Sequence, residues 1–146
     1  MKLVSSSDSH NSFELAILGY GETAKTWRDR NQLQCRFSTF WNKRADIQLF
    51  PMHTWELNRL LRGLSSLWSK VTNHLAITFS EPGLSLEAKA LPDGKYRLQI
   101  LLDHAFTPTW HMYPDFPVEM DIVLNQSQLQ EAIKELSDQL ATYPER

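Results

Sequence analysis

The chain has 146 residues, of which 42% are hydrophobic, 11% aromatic and 22% charged. This composition describes one globular domain and excludes a disordered or fibrous chain. Fifteen Lys and Arg against seventeen Asp and Glu leave a net charge of -2, so no basic excess directs the protein to nucleic acid or an anionic membrane. The single cysteine, Cys35, excludes an internal disulfide framework and a multi-cysteine metal centre.

Residues 1–11 are mostly Ser, Asp, His and Asn and are expected to be a disordered N-terminal segment before a single domain at 12–146. Met1–Val4 runs straight into Ser5–Ser7, with no apolar stretch of signal-peptide length, so a cytoplasmic protein is expected. Phe13, Leu15 and Ile17 alternate with Glu14 and Ala16, which predicts a strand broken at Gly19 and Gly21. A polar loop at 21–31 leads to a second strand carrying Leu33, Cys35 and Phe37. Trp41–Arg44 reads as a turn, and Ile47 and Leu49 continue the alternation in a short third strand ended by Pro51.

The period then changes. Leu57, Leu60, Leu61, Leu64, Leu67, Trp68 and Val71 form one helical stripe, predicting a helix over 54–71 with Thr54 as N-cap. Gly63 interrupts the stripe, as a close helix–sheet approach would require. Alternation returns at Leu75–Phe79, Leu84–Ala90, Tyr96–Leu102 and Val118–Leu124, with turns at Glu81-Pro82-Gly83 and Pro92-Asp93-Gly94. Asn125 or Ser127 caps a last helix over 126–142, whose stripe is Leu129, Ala132, Ile133, Leu136, Leu140 and Tyr143, ended by Pro144. No repeat is apparent. Short links and strands polar on one face predict an α+β fold: a single antiparallel sheet of about six or seven strands with two helices packed on one face.

The sequence holds no Gly-rich phosphate loop, no His-Glu-x-x-His and no Gly-x-Ser-x-Gly. Cys35 is in phase with Leu33 and Phe37, so it is expected in the core and not as a nucleophile. His104 and His111 bracket a loop with Asp103 and Asp115, but their spacing matches no standard metal site. No catalytic residue, metal or cofactor is therefore assigned. Trp27, Trp41, Trp110, Tyr113 and Phe116 fall in loops, where Trp and Tyr can seal the core or anchor a partner. The polar sheet face carries Glu87, Arg97, Gln99, Glu119 and Asp121.

Several short segments resemble the WapI-family immunity proteins of bacterial polymorphic toxin systems. They are Phe13–Tyr20, a strand ending in Gly-Tyr; Asn31-Gln32-Leu33, with Gln32 where the family tends to have Trp; and the Glu56-Leu57 helix start. Gly83–Glu87, the Thr107–Trp110 Pro/Trp loop, Asp121–Leu124 and the Tyr143-Pro144-Glu145-Arg146 close complete the set. The resemblance implies a non-enzymatic protein that binds and neutralises a cognate secreted toxin domain. Its partner would be that protein domain, and neither nucleic acid nor a membrane. The candidate contact residues are Trp110, Tyr113, Asp115, Glu119 and Asp121. Two other classes are a small enzyme or ligand-binding protein using the His104–Asp115 loop, and a structural assembly module. The sequence sets neither the toxin's activity nor an oligomeric state.

Overall fold

A computed structural model describes residues 1–6, 11–21, 26, 30–113 and 115–146. Among the described residues eight strands and two helices follow in order: β1 (Lys2–Val4), β2 (Ser12–Tyr20), β3 (Gln32–Trp41), β4 (Arg44–His53), α1 (Thr54–Trp68), β5 (His74–Thr78), β6 (Leu84–Ala90), β7 (Tyr96–Leu102), β8 (Val118–Leu124) and α2 (Gln126–Thr142). A short 3-10 turn at His104–Phe106 lies between β7 and β8.

The strands form two four-stranded antiparallel sheets, ordered β1-β2-β3-β4 and β5-β6-β7-β8. The expected single sheet of six or seven strands is thereby corrected. Each sheet is closed by the helix that follows it, so the architecture repeats four strands and a helix without a visible sequence repeat. Local alternation reports which strands exist, but it is blind to where one sheet ends. The break falls at α1, which carries the chain away from β4 before β5 begins.

One core joins both halves. Leu15, Leu33 and Cys35 of the first sheet and Leu98, Ile100, Met120 and Ile122 of the second are all at most 2% exposed. Leu57, Leu60, Leu64 and Leu67 of α1 and Leu129, Ala132, Leu136 and Leu140 of α2 complete it. Lys2–Val4 falls inside the segment expected to be loose, yet it pairs with β2 through Lys2–Glu14, Leu3–Phe13 and Val4–Ser12. Burial of Met1 and Leu3 drives that pairing. Residues 7–10 and Trp27 lie outside the described residues.

The helices differ in how well the sequence delimits them. The 126–142 boundaries hold, set by a capping box in which Asn125 and Gln128 bond each other's backbone N–H. The first helix ends at Trp68 rather than 71, and Val71 is exposed. Its N-cap is His53, not Thr54: the His53 N–H donates to Glu56 Oε2 at 2.9 Å. Gly63 does mark a close approach, since a Cβ there would sit 2.5 Å from Leu75 Cδ1.

Candidate partner-binding site

The connection from β7 to β8 crosses from the second sheet to the first and is pinned there through four residues. Phe106 inserts between rings of the first sheet, stacked on Phe50 at 4.0 Å and edge-on to Phe37 at 5.4 Å. Gln48 Nε2 donates to the Thr107 carbonyl at 2.9 Å, and Thr109 Oγ1 donates to Asp46 Oδ1 at 2.7 Å. The Trp110 carbonyl accepts from Arg44 Nη1 at 3.0 Å while its indole N–H reaches Thr39 Oγ1 at 3.4 Å.

Beyond Trp110 the chain lifts off the core. Met112, Tyr113 and Phe116 are 67–68% exposed. His111 braces this apex: its Nε2 lies 2.7 Å from the Phe116 carbonyl, which can only accept, so Nε2 carries the proton. Its ring also meets those of Trp110 and Tyr113 edge-on, each at 6.5 Å. The apex and the β3–β4 turn enclose a groove of about 440 Å³ lined by Trp41, Arg44, Trp110, Tyr113, Val118 and Glu119, among others.

Of the five residues singled out from the sequence, Trp110, Tyr113 and Glu119 line this groove. Asp115 is exposed on the same loop. Asp121 lies on the outer face of the second sheet, where Arg97 grips it through Nε at 3.3 Å and Nη2 at 3.1 Å. The Asp121 carboxylate raises the Arg97 pKa, first by hydrogen bonding and then by charge. Asp121 is thus already neutralised, whereas Glu119 makes no hydrogen bond or ion pair among the described residues. The sequence reading named Trp41 among the loop aromatics without placing it in the contact set, and it missed Arg44 and Met112. The available signal was the Trp41-Asn42-Lys43-Arg44 turn, which faces the loop only after folding.

The other candidates are accounted for by their surroundings. Cys35 is fully buried, and desolvation, with a smaller contribution from Glu56, pushes its thiol up to about 12. Such a thiol is held neutral and is a poor nucleophile. His104 is exposed beside Asp103, with Nε2 3.9 Å from its carboxylate, whereas His111 is engaged with the Phe116 carbonyl. No helix of the described residues is long and apolar enough to cross a membrane.

The chain matches the immunity protein WapI-like family over residues 3–144 and belongs to that family. No curated protein matches it in sequence. Two solved structures share its fold. One is a guide-RNA-binding protein complex bound to a guide RNA, at 10% identity and a TM-score of 0.52, covering 97% of this chain and 88% of that one. The other is MRP1/MRP2 of Trypanosoma bruciei, at 9% identity and a TM-score of 0.53, covering 98% and 84%.

Proposed function

We propose that the protein neutralises a cognate toxin domain by stoichiometric binding, without turnover, through the β7–β8 loop and its groove. The family supports a toxin as partner. The observation that carries the surface is the loop itself. Three large apolar side chains stand in solvent on a segment whose base is fixed by Phe106, Thr109 and Trp110. A rigid apolar anchor loses little entropy on docking, which is how aromatic hot spots gain affinity. Glu119 and Asp115 leave unpaired negative charge beside it and favour a basic partner face. Asp121, held by Arg97, adds to that field only weakly.

The test is binding kinetics against a cognate toxin domain, at two salt concentrations. Tyr113→Ala raises the off-rate by the roughly 30-fold equivalent of a ~2 kcal/mol hot spot. Glu119→Gln lowers the on-rate and flattens its salt dependence. Folded variants that both bind like wild type would exclude this surface.

The structural neighbours raise RNA as a second kind of partner. Here the charge balance weighs against it: on the outer face of the second sheet Lys89 and Arg97 are matched by Glu87, Glu119 and Asp121. An RNA-binding sheet needs a cationic excess to offset phosphate. Single-stranded RNA added to the same assay should give no signal at physiological salt.

A further inference from the structure

Four strand edges bound the two sheets, and on three of them another part of the chain bonds an outward carbonyl. β1 is three residues long and its Val4 carbonyl accepts from Gln128 of α2. On β8 the Val123 carbonyl accepts from both the backbone N–H and the hydroxyl of Ser6. β5 lies against α1, with Gly63 close to Leu75 and Arg59 donating to the Thr78 carbonyl.

The edge formed by β4 is open. Its hairpin with β3 turns on two residues, Asn42 and Lys43, both with positive φ, so Trp41–Arg44 is the closing hydrogen-bonded pair. Such pairs alternate along an antiparallel ladder, so Arg44, Asp46, Gln48, Phe50 and Met52 bond inward to β3. The N–H and C=O groups of Ala45, Ile47 and Leu49 therefore point off the edge. Two residues agree with this parity. Pro51 has no N–H to leave outward, and the outward N–H of His53 is taken by Glu56. Ala45, Ile47 and Leu49 make no hydrogen bond outside the sheet among the described residues, and Ile47 and Leu49 are 66% and 63% exposed. The β7–β8 loop does not block them, because it engages the inward-facing side chains of Asp46 and Gln48. A long, apolar, uncovered edge is a template for another strand.

We propose that β4 pairs antiparallel with β4 of a second copy of this chain, about a two-fold axis at Ile47. In that register Ile47 faces Ile47, and Ala45 faces Leu49 on each side. Three hydrogen-bonded pairs of two bonds each use both backbone groups of Ala45, Ile47 and Leu49. Asp46 faces Gln48 and Arg44 faces Phe50, so no like charges oppose. The neighbouring registers fail. An axis at Asp46 sets the two Asp46 carboxylates against each other. An axis at Gln48 puts Pro51 opposite Ala45, and one at Leu49 puts it opposite Ile47, each losing a donor. This pairing joins the first sheets of two molecules into one continuous sheet. It stands independently of which toxin is bound.

The test is sedimentation equilibrium of the full chain at concentrations up to about 1 mM, the range in which weak interfaces populate. The expected species has twice the 17.0 kDa mass of one chain. Ile47→Lys, at an exposed position, should return it to a single chain with an unchanged thermal midpoint. Under mild oxidation Ile47→Cys should cross-link to completion, since facing Cα atoms at about 5.5 Å fall within disulfide reach. Ala45→Cys should not, because Leu49 faces it. A single-chain mass throughout, a dimer indifferent to Ile47→Lys, or equal cross-linking of the two cysteine variants would each overturn the proposal.

Discussion

Glu56 shows how one side chain holds distant parts of the chain. It is buried, and its two oxygens accept from the backbone N–H groups of His53 and Ser80, tying the start of α1 to the turn after β5. Charge-assisted bonds of this kind contribute more than neutral ones. Glu56→Ala should therefore lower stability by about 2–3 kcal/mol in a denaturant melt, whereas the exposed neighbour Trp55→Ala should change it little. Cys35 supplies a pH test. Its thiol is raised from 9.0 to about 12, so folding favours the protonated form. Below pH 9 folded and unfolded chains both keep the proton and nothing changes. Between pH 9 and 12 the unfolded chain ionises first, so stability falls as pH rises, by at most about 1.4 kcal/mol per unit. Melts compared with Cys35→Ala isolate this slope, which that variant should lack. Thiol reagents should modify Cys35 only at the rate of unfolding.

At the scale of elements the two helices are the firmest part of the account. Leu60, Leu64 and Leu136 are fully buried at the centres of their stripes, so truncating any one to Ala should cost about 2–5 kcal/mol. Ile133 is only half-buried, packed on the margin of the core, and Ile133→Ala should cost less than any of the three. Chemical denaturation midpoints of the four variants check this order. Such stripes are legible in sequence because helix period and burial coincide within one segment. β4 shows where that logic fails. Ile47 and Leu49 alternate as a core face would, yet they face solvent, while Phe50 and Met52 face inward beside Gln48 and Asp46. The inward polar side chains are there to hold the β7–β8 loop, a contact some 60 positions away that no local pattern encodes. The groove was half legible for the same reason. Trp110, Tyr113 and Glu119 announced themselves as aromatics and a carboxylate around one loop, but Trp41 and Arg44 join them only through folding of the other half.

At the scale of the whole molecule the described residues form two copies of one plan, four strands and a helix, joined through shared packing. Phe37 of the first half and Phe106 of the second meet edge-on in the common core, and Tyr20 and Tyr143 meet edge-on where the C-terminus returns to β2. Arg146 completes that return, its guanidinium 3.7 Å above the Tyr20 ring and bonded to the Arg30 carbonyl. Halves that share a core should unfold together, so far-UV circular dichroism and tryptophan fluorescence should trace one coincident transition. Two separated transitions would mean independent halves. The same cross-half packing presents the β7–β8 loop as a fixed projection, and that projection is what the proposed function needs. Its central claim is tested most directly by measuring the activity of a cognate toxin domain while this protein is titrated in. Activity should fall linearly to zero at one equivalent, and Tyr113→Ala should require a clear excess. Toxin activity unchanged at a many-fold excess of folded wild-type protein would contradict it.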